Sequence, residues 1–275
     1  MSSQTTRQPV AFIPHGGGPF SYVDIGFPQN EVDQLVDYWR SVGQLGPEKP
    51  KAVLVVSAHW ESKVPTVSTA QQPSMLYDYY GFPQASYEIQ WPSPGSPQLA
   101  QRVRDLLEDV GFETAEDPSR GYDHGTFIPM KRIFPDADIP TVQLSIQSNL
   151  DPTEHLAIGQ ALQPLRDEGV LILGSGMSYH NLRGFFNAEQ VQDSEDFDAW
   201  LQDAVTKPAG QRDELLQNWE QAPAARKVHP REEHLLPLMV VAGAAGEELG
   251  TIPYSETLLG KRVSAVHFGT PSPNA

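Results

Sequence analysis

The chain contains no cysteine. Thiolate-held zinc, iron–sulfur clusters, catalytic thiols and disulfide frameworks are thereby excluded, and any bound metal must rest on imidazole and oxygen. Long apolar runs are also missing; nothing approaches the roughly 20 residues that a membrane-spanning helix needs. The opening Met-Ser-Ser-Gln-Thr-Thr-Arg is short and polar, so residues 1–8 are expected to be a frayed start rather than a signal peptide, with one catalytic domain over 9–275. Basic side chains are scarce, 19 Lys and Arg against 35 Asp and Glu, for a formal charge of −16. With no cluster of Lys and Arg, neither nucleic acid nor an anionic membrane surface is an expected partner. These absences point to a cytoplasmic protein.

What the sequence does contain is enough apolar material, 39% over 275 residues, for one full core. Short β-branched runs at Val10–Pro14 and 52–57 read as buried strands. Between them Val32, Leu35, Val36, Trp39 and Val42 recur at helical spacing, which makes a β-α-β unit. Runs at 141–146 and 170–173 repeat the pattern around a helix that opens with Asp151 as N-cap, Pro152 at the first helical position and Glu154 at the capping-box position. Leu99, Val103, Leu106, Leu107 and Val110 mark a further helix, Phe197, Trp200, Leu201 and Val205 another, and 264–268 a last strand. The alternation predicts a single α/β domain, with a mostly parallel central sheet covered by helices on both faces. The segment 71–97, dense in proline and tyrosine, breaks it. It is expected either to wall a pocket for a flat ligand or to pack on itself as an Ω-like loop.

Four histidines stand beside glycine or at the end of an apolar run: His15 in Phe-Ile-Pro-His-Gly-Gly-Gly, His59 in Val-Val-Ser-Ala-His-Trp, His124 in Asp-His-Gly-Thr and His180 in Gly-Ser-Gly-Met-Ser-Tyr-His-Asn. His15, His59 and His180 each fall at the carboxyl end of a predicted strand, where open α/β sheets place their ligands. His124 and His234, the latter opening Glu-Glu-His-Leu-Leu-Pro-Leu, could reach the same cleft. His155 and His229 read as structural, and His267 as a core histidine or a support to the site.

Several familiar sites are excluded. No H-E-x-x-H occurs. The glycines after His15 do not build a G-x-G-x-x-G or a P-loop, and Leu173-Gly174-Ser175-Gly176-Met177 has the wrong register for a hydrolase nucleophile elbow. Gly16 to Gly18 instead let the backbone pass close to whatever His15 binds.

The order of these motifs resembles the type III extradiol ring-cleavage dioxygenases, the LigB-like superfamily, and within it the DOPA extradiol dioxygenase branch. The resemblance runs through His15-Gly16, Ser57-Ala58-His59-Trp60, Tyr77-Asp78-Tyr79-Tyr80-Gly81-Phe82-Pro83, Pro94-Gly95-Ser96-Pro97, Asp123-His124-Gly125-Thr126, Gly174-Ser175-Gly176 with His180-Asn181, and Glu233-His234-Leu235-Leu236-Pro237-Leu238. It implies non-haem ferrous iron, replaceable by zinc in purified protein, with His15, His59 and His234 at ligand positions and His180 as a further ligand or the acid/base group. His124 would face the substrate. Better-known members use a carboxylate where His234 stands, so three imidazoles would leave the metal one unit more positive, and a carboxylate from Glu233 entering the shell would reverse that.

The implied reaction inserts both atoms of dioxygen into a catechol to give a muconic semialdehyde. Catechol must lose a proton to chelate a metal, and a neutral imidazole is a suitable base, His124 or His180, able to return that proton later. DOPA, a protocatechuate-like acid and a lignin-derived catechol all present the required diol. Tyr79 and Tyr80 are expected to contact the ring, and Arg183 a substrate carboxylate. A zinc hydrolase using the same histidines is the alternative, and a non-enzymatic scaffold gives no reason for imidazoles at successive strand ends.

Overall fold

The computed structural model describes residues 7–185 and 190–269. Eight strands, β1 (Val10–Pro14), β2 (Ala52–Ser62), β3 (Thr66–Ser68), β4 (Ala115–Asp117), β5 (Thr141–Gln147), β6 (Val170–Gly176), β7 (Gly250–Leu258) and β8 (Lys261–Phe268), form one sheet in the order β4-β3-β5-β2-β6-β1-β8-β7. The central β5-β2-β6-β1 pairings are all parallel, while β8 joins β1, and β7 joins β8, antiparallel. Of the central strands, β1, β2 and β6 open with continuous apolar runs, while β5 is buried throughout although Thr141, Gln143, Ser145 and Gln147 alternate with its apolar residues; β7 alternates buried and open positions, as an edge strand with one wet face does. This is the single α/β domain that the sequence pattern predicts.

Successive residues of β6 show the two layers. At Gly174 a Cβ would come within 2.5 Å of the Pro237 carbonyl, whereas the side chain of Ser175 donates a hydrogen bond to the Gly125 carbonyl. Side chains alternate along a strand, so helix Leu236–Ala245 covers one face and helix His124–Ile133 the other. The first is buried at all ten positions and packs on helix Pro152–Leu162; the second packs on helix Gln29–Val42, whose Val32, Leu35, Val36, Trp39 and Val42 are buried as their spacing requires.

Local signals held with three refinements. Asp151 caps its helix by accepting from the N–H groups of Thr153 and Glu154, but Glu154 does not complete a capping box; its carboxylate accepts from the side chains of Gln147 and Asn149. The helix marked by Leu99 ends at Glu108, leaving Val110 60% exposed beyond it. Of the expected frayed start, residues 1–6 lie outside the described residues. Arg7 and Gln8 are tied down: Arg7 pairs with Asp167, and the buried Gln8 donates from its backbone N–H to Arg166 and from its side chain to Glu48. Among the described residues no helix is long and apolar enough to cross a membrane.

β2 carries the irregularity that matters most. Ser57 pairs with Ser145, but the next pairing joins Glu61 to Ile146, so Ala58, His59 and Trp60 bulge out of the ladder at the rim. A bulge of this kind re-aims side chains. It is held by Arg120, which donates to the His59 carbonyl and to Asp123 and lies over the Trp60 ring.

Candidate active site

His15 leaves the end of β1, His59 sits on the β2 bulge, and His234 precedes helix Leu236–Ala245, with its carbonyl accepting from the N–H of Met177 just past β6. The carboxyl ends of three adjacent parallel strands thus deliver, or anchor, three imidazoles. Their Nε2 atoms converge: His15 to His59 is 3.0 Å, and His59 to His234 is 3.3 Å. The other nitrogens of the outer two rings are committed. The Ser175 hydroxyl donates to Gly125, so at 3.1 Å it accepts from His15 Nδ1–H; Glu233 accepts from His234 Nδ1–H at 2.9 Å. These bonds assign the tautomers of His15 and His234 and leave their Nε2 lone pairs directed toward His59 Nε2.

Nitrogens this close share either a His59 Nε2–H or a cation, and a single proton on His59 can serve only one of the two contacts. Nitrogens bound about 2.1 Å from one ion stand about 3.0 Å apart at right angles and about 3.4 Å apart at tetrahedral angles, which brackets the two observed spacings. The residues therefore fit a metal. Burial, reinforced by the neighbouring imidazoles, holds His15 and His234 well below the usual histidine pKa. Burial and then His124 lower His59 to about 3, against the opposing pull of Asp78. All three are neutral at physiological pH, the form that binds metals.

By distance alone, ligand atoms of His15, His59 and His124 lie within 4.8 Å of one another, as do those of His180, Glu233 and His234. Hydrogen bonding separates their roles. His124 begins its helix and donates from both its backbone N–H (2.9 Å) and Nδ1 (2.8 Å) to Asp78 Oδ1, which turns Nε2 to the cavity side of the ring. Desolvation opposes the Asp78 charge, but the His124 bond and nearby histidines outweigh it and lower its pKa. His180 stacks on the His234 ring at 3.3 Å between centroids and places Nδ1 3.0 Å from the same Glu233 oxygen. Glu233 thus stands on the Nδ1 side of both rings, behind the converging Nε2 atoms.

These rings form one end of a cavity of about 490 Å³, whose other walls include Ile25, Phe27, Tyr79, Phe82, Leu258 and Leu259. Gly16 to Gly18 line it in backbone conformations that only glycine adopts without strain at two positions, φ +75° at Gly16 and +60° at Gly18.

The family described as the catalytic LigB subunit of aromatic ring-opening dioxygenase matches residues 9–266. The chain belongs to this family. It is 41% identical over 250 residues to a 4,5-DOPA dioxygenase extradiol of Beta vulgaris, covering 90% of each chain. To the protein of that name from Portulaca grandiflora it is 44% identical over 207 residues, 74% of this chain and 75% of the relative. A crystal structure of an uncharacterized protein from Escherichia coli K12 superposes with a TM-score of 0.78 at 31% identity, covering 96% of this chain and all of that one.

Within this LigB-family site, His15, His59, His124, His180 and His234 all line the cavity, as does Tyr79. Two expected contacts do not. Tyr80 is 91% exposed, because neighbours along an extended segment point to opposite sides and Tyr79 takes the inward one. Arg183 lines an adjacent cleft with Arg231 instead, turned away in the bend after His180 where its N–H bonds Asn181. The segment 71–97 does both things considered for it: Tyr77, Tyr79 and Tyr87 pack on one another and Tyr79 O–H donates to Ser86, while Tyr79 and Phe82 face the cavity. His155, His229 and His267 are structural, bonded to Gln147 and Asp151, to Ser178, and to Tyr38 respectively. The supporting roles of Asp78, Ser175 and Glu233 escape sequence reading, although Asp78 and Glu233, acids flanked by site residues, carried a signal.

Proposed function

We propose that the chain is an extradiol ring-cleavage dioxygenase that opens a catechol beside its diol to a muconic semialdehyde, using ferrous iron held by His15, His59 and His234. The convergence of their three neutral Nε2 atoms carries this reading. In the net reaction the carbon–carbon bond next to the diol breaks and both oxygen atoms of dioxygen enter the product, one as aldehyde and one as carboxylate, with no external reductant. Ferrous iron would supply Lewis acidity for the two catechol oxygens and the one-electron chemistry that lets the ring react with dioxygen.

The remaining work falls to side chains. His124 Nε2, its ring fixed by Asp78, takes a proton from the catechol, and Asp78 stabilises the resulting imidazolium. The same nitrogen returns the proton when the ring opens. His180 is left outside the ligand set, because the Nε2 contacts of 3.0 and 3.3 Å join His15, His59 and His234, while His180 groups with His234 and Glu233. It steadies His234 and lends a second proton-handling group at the cavity wall. Tyr79, edge-on to His124 with ring centroids 5.8 Å apart, closes the substrate side against water. The partners are a small catechol and dioxygen, and the acidic, cysteine-free chain suits a cytoplasmic setting.

The test is anaerobic loading with ferrous iron, followed by a catechol panel read with an oxygen electrode and by the yellow product. One dioxygen consumed per catechol supports the reading. Zinc-supported cleavage of esters or amides without oxygen uptake would replace it with a hydrolase, which membership in a ring-opening dioxygenase family disfavours.

A further inference from the structure

If the site opens catechols, the walls away from its histidines decide which catechols it accepts. Those walls are apolar: Ile25, Phe27, Phe185, Leu258 and Leu259 bound the cavity there, and no Arg, Lys, Asp or Glu is among the described residues that line it. Residues 1–6, 186–189 and 270–275 contain no Arg or Lys, so the described residues hold every basic side chain of the sequence. Arg120, which touches the His59 carbonyl, is paired with the buried Asp123 and does not line the cavity. Arg183 and Arg231 line the neighbouring cleft, and Arg231 is paired with Glu61; Lys261 is buried with a partner of its own and is not among the residues that line the cavity.

The wall is also built at a cost. β7 and β8 are joined through Leu259 and Gly260, with Leu258 paired to Lys261 and φ of +51° and +74° at the two central residues. Positive φ at both is the mark of a type I′ hairpin, a turn that favours Asn or Gly, and leucine is strained there. The turn is nevertheless pinned in place. The buried Glu31 carboxylate accepts from the Leu259 N–H at 2.6 Å and from the Thr257 hydroxyl at 3.0 Å. A leucine held in a left-handed turn by a buried carboxylate, against the cavity that holds the histidine cluster, is an outlier that packing alone does not call for.

We propose that this hairpin tip, with Ile25 and Phe27, receives the substituent of the catechol, so that the enzyme prefers catechols bearing an uncharged apolar group over those bearing a carboxylate or zwitterionic chain. The proposal rests on the ring-cleavage reading and narrows its substrate. Each methylene buried on such a wall tightens binding roughly fourfold. A carboxylate placed there loses its water and finds no cationic partner.

The test uses the zinc-loaded protein, whose metal has no redox chemistry with which to open the ring, titrated calorimetrically with 4-propylcatechol, 3,4-dihydroxybenzoate and DOPA. The iron-loaded protein is run on the same panel by oxygen uptake. We expect 4-propylcatechol to bind at least ~10-fold tighter than either charged catechol. Leu259→Arg and Ile25→Arg, each checked for an intact melting transition, should shrink or invert that ratio toward 3,4-dihydroxybenzoate. A charged catechol that binds as tightly as 4-propylcatechol, or parental selectivity in both folded variants, overturns the proposal and leaves ring cleavage standing. No binding and no oxygen uptake with any catechol overturns both.

Discussion

Asp78→Asn is the most informative single change, because it alters one charge and almost no shape. Asp78 Oδ1 accepts from the His124 backbone N–H and from Nδ1–H, at 2.9 and 2.8 Å, and Oδ2 lies 3.8 Å from His59 Nδ1. An asparagine carbonyl can make the same two contacts, so ring position and tautomer survive while the negative charge facing the imidazolium is lost. Hydrogen bonds to charged groups contribute about 1.5–3 kcal/mol and neutral ones about 0.5–1.5, a difference of about 1–1.5 kcal/mol. The imidazolium exists only after His124 has taken the substrate proton, so that difference falls on the barrier and lowers kcat roughly 5- to 13-fold. Asp78→Ala, which also frees the ring to turn, should approach the roughly 100- to 10,000-fold loss expected for removing a positioned base. The assay is steady-state oxygen uptake with iron content measured on the same samples. An unaltered kcat in Asp78→Asn, or a loss of iron that accounts for the whole effect, would refute the assignment of His124 as a base supported by Asp78.

Replacing His15, His59 or His234 by Ala should abolish tight metal binding in metal analysis, whereas His124→Ala and His180→Ala should retain the metal and lower turnover by roughly 100- to 10,000-fold; loss of iron in His180→Ala would return that residue to the ligand set. Tyr79→Ala should raise KM with the metal in place, and Tyr80→Ala, at a 91% exposed side chain, should leave kinetics and melting unaltered. Acid should destabilise the fold through His229 and His267, which burial lowers to about 3. The unfolded chain protonates these groups near 6.5 and the fold does not, so their contribution is complete above that pH and declines below it. The decline is about 1.4 kcal/mol per unit for each, or about 2 kcal/mol between pH 7 and 5. His267→Gln keeps an acceptor for Tyr38 and should therefore lose about 2 kcal/mol less than the parent between those two pH values in urea unfolding; equal losses would contradict the assignment.

Strands β1, β2 and β6 were legible as apolar runs and β5 by the alternation of Val142, Leu144 and Ile146, and the histidines were legible because such runs stop where the sheet meets the site. β3 and β4, three residues each, are too short to show a period, and β7 carries Pro253 and alternates on an exposed edge. The turn after β7 was hidden for a different reason: Leu259-Gly260 has none of the Asn or Asp that signals a two-residue hairpin. The bulge at His59 follows from pairing with β5, which no local pattern in β2 encodes. Partners of the imidazoles were the least accessible of all. Ser175 lies 160 residues from His15 and Asp78 lies 46 from His124, so only the closed sheet brings them together.

That closure shows how a chain of charge −16 can bring three imidazoles together with its nearest acids set behind them. Asp78 and Glu233 each stand one imidazole away from the converging nitrogens, bonded to Nδ1 and not to the point where Nε2 atoms meet. An acid in that position fixes a ring and raises its basicity without cancelling charge at the metal. A divalent cation among three neutral imidazoles would keep both its charges, which a doubly ionised catechol could neutralise, whereas a carboxylate ligand would already have taken one of them. Moving the acid inward should then weaken the hold on the diol more than the hold on the metal. His234→Asp, which converts the set to two imidazoles and a carboxylate, is accordingly expected to retain metal while binding catechol less tightly, and tighter catechol binding in that variant would mean that charge at the metal is not what holds the substrate.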